Sequence, residues 1–176
     1  ESWDRILDVN LKGMAFCAKH LIPLMDGDGA GGDRGDGDGA DGGGAVVNVA
    51  SNGAEVARPD WAQYDSTKGA IVSMTQDMAC DHAPDSVRVN AVSPGWVITE
   101  YHLPDDPEEA REFYEEKTAP HPDGPGILKR AAEPAECADA ILFLASEEAS
   151  FITGSNLRVD GGVSAVGKGL EWEPRS

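Results

Sequence analysis

Two short runs rich in β-branched residues constrain this chain most: residues 45–51 (AVVNVAS) and 87–93 (VRVNAVS). Each has strand length, is apolar without strict alternation, and is stopped by turn residues, Asn52-Gly53 and Pro94-Gly95. A strand that is apolar on both faces has to be covered on both faces, as in a parallel sheet between helices. Helical patterns surround the two runs. In residues 2–25, Leu7, Leu11, Met14, Ala18, Leu21 and Met25 recur at steps of three and four and form one stripe. Ser2 is the expected N-cap, Asp4 sits in the first turn, and Pro23 loosens the last turn. A helix over about 61–82 carries Ile71, Met74 and Met78 inward, with Asp60 as N-cap and Gln63 completing a capping box. A third, over 134–147, has Pro134 at its first position and turns Ile141, Leu142, Leu144 and Ala145 inward. Residues 99–130 are polar, Pro-rich and acidic, with one short helix over about 107–117, and read as an excursion outside the core. A last strand, 156–160 (NLRVD), stops at Gly161-Gly162. This alternation predicts an α/β protein with about three parallel strands, flanking helices and right-handed crossovers. At 176 residues, one domain is expected.

Residues 26–44 stand apart, with ten Gly and six Asp among nineteen. That composition cannot bury enough apolar area to offset its ordering entropy, so a flexible surface loop is expected. A calcium loop starting at Asp26 needs Glu at its twelfth position, and Gly37 stands there. The tripeptide Arg34-Gly35-Asp36 in such a context is read as chance. No metal is expected.

The chain carries 32 Asp and Glu against 14 Lys and Arg, a formal net charge of −18. Nucleic acid and anionic membranes need a basic surface, so neither is expected as a partner. No apolar run approaches the ~20 residues of a membrane span. Much of the acid is spread over 105–116 and 133–148, which fits a halophilic, salt-adapted surface better than a cation site. Cys17, Cys80 and Cys137 form neither a disulfide framework nor a metal pair, which fits a reducing, cytoplasmic setting.

The chemistry-bearing feature is Tyr64-Asp65-Ser66-Thr67-Lys68. On a helix, Tyr64 and Lys68 share a face. An ammonium close to a phenol favours the phenolate and lowers a pKa of ~10, which makes Tyr64 a candidate general acid/base. An exposed aromatic–aliphatic contact is the plainer alternative. Ser51 ends a strand thirteen residues earlier, at the carboxyl edge where open α/β sheets bind ligands. Its hydroxyl is placed to bond a substrate oxygen or, alternatively, local backbone. Asn10 interrupts the first helix beside its apolar stripe, where a buried amide needs partners. The turn at Pro94-Gly95 lets backbone approach a ligand at the same edge.

Taken together, these residues resemble the short-chain dehydrogenase/reductase family, classical type, over about residues 2–165. Asp8-Val9-Asn10-Leu11 looks like its catalytic-Asn helix, and Val47-Asn48-Val49-Ala50-Ser51 like its catalytic-Ser strand. Tyr64-x-x-x-Lys68 with Gly69-Ala70 looks like its active-site helix. Residues 88–95 (RVNAVSPG) look like the strand leading to the nicotinamide. Ile152-Thr153-Gly154 and Val159-Asp160-Gly161-Gly162 look like its closing segment. The resemblance implies an NAD- or NADP-dependent oxidoreductase that interconverts a secondary alcohol and a ketone. Tyr64 would be the acid/base, with Lys68 lowering its pKa and holding the nicotinamide ribose. Ser51 would polarise the substrate carbonyl, and Asn10 would hold a water of a proton relay reaching Lys68. The nicotinamide end of the cofactor would meet Asn10, Tyr64, Lys68, Pro94, Gly95, Val97 and Thr99. Residues 99–130 would form the substrate lid.

One departure from the family pattern matters. The family binds its dinucleotide with an N-terminal βαβαβ half bearing a glycine-rich turn after the first strand. No such strand–turn–helix unit precedes the Asn10 helix here. The expectation is therefore an incomplete, Rossmann-like doubly wound sheet, the C-terminal catalytic part of the domain. Strand 45–51 would keep an unpaired edge. The chain alone would be inactive, with the missing half supplied by a longer protein or a second chain, and the complete protein a homo-oligomer. A truncated, non-catalytic remnant acting at most in oligomerisation is the alternative. A calcium-binding module is a third and weaker reading.

Overall fold

The computed structural model of the chain describes residues 3–25 and 43–166. Three parallel strands form the sheet: β1 (Ala45–Val49), β2 (Arg88–Pro94) and β3 (Asn156–Val159), in the order β1-β2-β3. Ala45 stands beside Arg88 in the first pairing and Ala91 beside Asn156 in the second. β2 is central, and Val89 through Ser93 are all buried. The helices are α1 (Trp3–Leu7), α2 (Gly13–Leu21), α3 (Ala62–Asp81), α4 (Pro107–Thr118) and α5 (Pro134–Ala145).

The core has two parts, one on each face of the sheet. On one face Met78 and Ala79 of α3 pack with Ile22, Val87 and Val89. On the other, Leu144 of α5 packs with Val92 and Ala149, flanked by Val47, Ile141 and Leu157. Helices on both faces of a parallel sheet make the expected doubly wound α/β arrangement. No described helix is long and apolar enough to cross a membrane.

The expected helix over 2–25 is not uniform. A π turn, Asp8–Lys12, separates α1 from α2, and Pro23 lies in a closing 3-10 turn, Ile22–Leu24. Met14, Ala18 and Met25 keep their partly buried places, but Leu21 is exposed and Ile22 takes the buried place assigned to it. Ser2 and most of the glycine- and aspartate-rich stretch, residues 26–42, lie outside the described residues.

Asp60 does not cap α3. The cap position is Trp61, without a side-chain bond, and Asp60 takes a left-handed φ of 64°. The inward residues Ile71 and Met78 are as expected. α5 ends at Ala145, and Leu142 and Ala145 point outward while Cys137 and Leu144 are buried. Its start is well made: Pro134 occupies the first turn, and Glu133 and Glu136 form a reciprocal capping box. None of residues 99–130 is buried, in keeping with an excursion outside the core. α4 is capped by the Asp106 carboxylate, which accepts from the backbone N–H of Glu108 and Glu109.

Candidate active site

Parallel pairing puts the exits of β1 and β2 at one edge of the sheet, and the candidate residues gather there. Ser51 stands two residues beyond the end of β1 and caps a 3-10 turn, Asn52–Ala54. Its Oγ accepts from the Gly53 N–H at 3.1 Å. Its own O–H is held only loosely, 3.5 Å from Asn52 Oδ1. A buried hydroxyl with one lone pair occupied and its proton weakly engaged is ready to donate to an incoming oxygen.

Tyr64 and Lys68 lie one turn apart near the start of α3, and the Lys68 Nζ is 5.4 Å from the Tyr64 ring centroid. The Tyr64 hydroxyl has no protein partner among the described residues. Lys68 reaches across to β1 and donates to the Val49 carbonyl at 2.9 Å. Burial holds its pKa below the usual lysine value, because desolvation disfavours the ammonium. The Tyr64 ring meets Trp61 edge to face, with centroids 5.6 Å apart.

Asn10 sits in the π turn and its Nδ2 donates to the Thr67 hydroxyl at 3.1 Å. Thr67 in turn donates to the Tyr64 carbonyl at 2.7 Å. Asn10 and Lys68 both line a groove of about 600 Å³ between the first helix and the outer edge of β1, whose walls are mostly apolar (Met14, Ile22, Val47) but also include Asn48. The structure thus brings Asn10, Tyr64 and Lys68 together through Thr67 and the end of β1.

The segment 94–99 is held separately, and among the described residues no hydrogen bond links it to Tyr64 or Lys68. Gly95 donates to Val159, and a Cβ there would come within 2.8 Å of the Asp160 Cα. The small residue is therefore required first by the exit of β3, not by a ligand. Val97 pairs with Ala132. The Thr99 hydroxyl is 3.0 Å from His102 Nδ1 in a local capping box.

Three features escaped the sequence. Thr67, fully buried, couples Asn10 to α3; its place between Tyr64 and Lys68, as a small polar residue on a helix, was the available signal. Asn90, also fully buried, donates to the Ile152 carbonyl at 2.8 Å and accepts from the Ser155 N–H at 3.0 Å. It fastens the Thr153-Gly154 turn to β2, and a polar residue inside a buried strand hinted at this. The third is the ion pair of Arg58 with Asp65, which nothing in the local pattern signals.

A family model described as enoyl-(acyl carrier protein) reductase matches residues 1–164. Meso-2,3-butanediol dehydrogenase of Serratia marcescens is 38% identical over 167 residues, covering 94% of this chain and 57% of the relative. Cyclopentanol dehydrogenase of Comamonas sp. is 36% identical, covering 94% and 58%. The crystal structure of 3-ketoacyl-(acyl-carrier-protein) reductase from Brucella melitensis complexed with NADH superposes with a TM-score of 0.67 at 34% identity, covering 92% of this chain and 57% of that one. The chain spans less than three fifths of the length of the curated relatives it matches. Its Rossmann-like sheet and the length of the family match leave one assignment: this chain belongs to the short-chain dehydrogenase/reductase family.

Proposed function

We propose that this chain is the C-terminal catalytic part of an NAD- or NADP-dependent oxidoreductase that interconverts a secondary alcohol and a ketone. The observation that carries the reading is the unpartnered Tyr64 hydroxyl, on a ring whose centroid lies 5.4 Å from the Lys68 Nζ, together with the loosely held Ser51 proton beyond the end of β1. Cyclopentanol and 2,3-butanediol, named in two relatives, are both secondary alcohols, which supports the substrate class.

In this reading Ser51 donates a hydrogen bond to the substrate oxygen and holds the carbonyl in place. Tyr64 gives or takes the proton at that oxygen, with the Lys68 ammonium 5.4 Å from its ring centroid. Asn10, fixed by Thr67, presents the rest of its amide to the groove it shares with Lys68. The residues fit the nicotinamide end of the cofactor: Asn10 and Lys68 line a mostly apolar groove, and Pro94, Gly95, Val97 and Thr99 lie at and beyond the neighbouring strand exit. When bound, the nicotinamide supplies or takes the hydride. Residues 99–130, with no buried side chain, serve as the substrate lid.

The dinucleotide-binding half seats against the outer edge of β1. Two observations support this. β1 has no strand on its outer side among the described residues, and apolar Val47 and Ile22 line the groove there. That half, in the same polypeptide or a second one, carries the pyrophosphate site. The complete protein is a cytoplasmic homo-oligomer with a salt-adapted acidic surface. Calorimetric titration of the 176-residue chain in molar salt with NAD and NADP is the test. No micromolar binding is expected from the chain alone, and turnover of cyclopentanol or 2,3-butanediol is expected once the other half is present. Micromolar binding by the isolated chain refutes the need for that half. A complete protein that binds cofactor yet turns over no secondary alcohol refutes the activity.

A further inference from the structure

The ion pair of Arg58 with Asp65 occupies the seam between the Ser51 turn and the Tyr64 helix. Arg58 Nη2 donates to Asp65 Oδ1, and Nε approaches Oδ2 at 3.4 Å. The Asp65 side chain is only 13% exposed. The guanidinium lies 4.3 Å over the Trp61 ring and 5.6 Å from the Tyr64 ring centroid. On the other side of the pair is Gly53, where a Cβ would strike both Asp65 Oδ1 and Arg58 Nη2. Gly53 is also the residue whose N–H holds the Ser51 Oγ. One ion pair thus touches the residue that orients Ser51 and the ring that packs on Tyr64.

We propose that Arg58 and Asp65 are positioning residues that fix the Ser51 hydroxyl relative to the Tyr64 phenol. The proposal rests on the roles given to Ser51 and Tyr64 above. Those two side chains come from different elements, a strand exit and a helix, and a reacting pair has to be held to within about 0.5 Å. A guanidinium fork on a carboxylate fixes orientation as well as distance. Asp65 is carried by α3 itself, one residue from Tyr64, whereas Arg58 comes from the loop that follows Ser51. Their bond therefore closes the loop onto the helix. Gly53 completes the seam because only a residue without a side chain lets the turn lie against the pair. The two charges cancel locally, so the pair acts on geometry.

Amide hydrogen exchange on the 176-residue chain reads this directly, since the Gly53 N–H reports the Ser51 turn. In Arg58→Met and Asp65→Asn, exchange at Gly53 is expected to accelerate by roughly tenfold or more, while amides at 75–82, the far end of α3, keep their wild-type rates. Gly53→Ala keeps both charges but displaces the pair, and its amide at position 53 is expected to accelerate likewise. Unchanged exchange at Gly53 in the two charge variants overturns the proposal. So does a uniform loss of protection along α3, including outright unfolding, because that is the signature of a general stabilising contact. Tyr64→Phe is expected to leave Gly53 exchange at the wild-type rate, so a failure of the acid/base assignment appears in turnover and a failure of the positioning role in exchange.

Discussion

Asn10 and Thr67, 57 residues apart, are joined by a hydrogen bond of 3.1 Å from the Asn10 amide to the Thr67 hydroxyl. Thr67 is fully buried and donates its own proton to the Tyr64 carbonyl. The π turn of the first helix is in this way tied to the helix bearing Tyr64 and Lys68. Thr67→Val preserves shape and removes the acceptor, leaving the Asn10 amide without its partner. The expected loss is about 1–3 kcal/mol in urea denaturation. Thr118→Val, on α4, removes only a bond to the carbonyl of Tyr114 and is expected to stay within about 0.5 kcal/mol. Equal effects at the two sites would show that the Asn10 link carries no special weight.

Tyr64→Phe removes only the hydroxyl, and the ring contact with Trp61 stays. In a protein that carries the dinucleotide-binding half, turnover is expected to vanish while the unfolding midpoint stays near the wild-type value. Because general acid/base groups contribute about 10²–10⁴-fold, retention of more than a few per cent of the rate would remove Tyr64 from that role. Steady-state kinetics alongside thermal melts separate the two outcomes.

Acid sensitivity should trace to Glu136. Arg130 donates to both of its oxygens, at 2.6 and 2.8 Å, and the Glu133 N–H adds a third bond. The Arg130 bonds first, and that backbone bond second, lower its pKa from the ordinary 4.5 to about 2. A carboxylate whose folded pKa is depressed contributes stability that is complete above the unfolded pKa and is lost as pH falls toward the folded one. With 40% of the side chain exposed, solvent screening limits the contribution to about 1 kcal/mol. Urea denaturation of wild type and Glu136→Gln should therefore differ at pH 6 and converge between about pH 4.5 and 2. A gap that persists at the acid end would assign the difference to packing.

α5 shows where sequence reading runs out. In α3, polar residues separate Ile71 from Met78, so the spacing itself reveals the inward face. In α5 the run Ala140-Ile141-Leu142-Phe143-Leu144-Ala145 is apolar all round, and periodicity has nothing to choose between. Only the sheet decides, burying Leu144 and leaving Leu142 67% exposed. The site divides in the same way. Tyr64 and Lys68 are legible because one helix turn sets their spacing, and Ser51 because a strand end does. Thr67 against Asn10, and Arg58 against Asp65 and Gly53, depend on how distant segments meet, which no local pattern encodes. The π turn at Asn10 is equally silent in the stripe that contains it.

The same contrast gives a stability prediction. Leu144→Ala empties a filled position between α5 and β2 and is expected to cost about 2–5 kcal/mol. Leu142→Ala, two residues away, deletes the same atoms from an exposed site and should cost under about 0.5 kcal/mol. Denaturant midpoints of the two variants in one buffer settle the facing. Comparable losses would mean that another surface covers Leu142.

Val47 offers a test of the open edge of the sheet. In a parallel ladder, the backbone groups of alternate residues point to the same neighbour. Gly44 accepts from Arg88 and Ala50 donates to Val92, so the even-numbered residues of β1 face β2. The odd-numbered residues, Ala45, Val47 and Val49, face outward, and the Val49 carbonyl is met there by Lys68. Val47→Pro therefore removes an N–H that β2 does not use, and proline is tolerated on an edge strand in that orientation. In the 176-residue chain the substitution should cost under about 1 kcal/mol, because edge proline leaves the inner ladder whole. In a protein with the dinucleotide-binding half, the same N–H is expected to pair with the adjoining strand, and the ring would block that pairing as well as remove its donor. Cofactor affinity should then fall by at least tenfold while the isolated chain is nearly unaffected. Fluorescence titration with NADH or NADPH on the one, and urea denaturation on the other, read the two halves of the prediction. A loss of several kcal/mol in the isolated chain would place the Val47 N–H on the β2 side. Unaltered cofactor binding in the longer protein would place the dinucleotide-binding half somewhere other than the outer edge of β1.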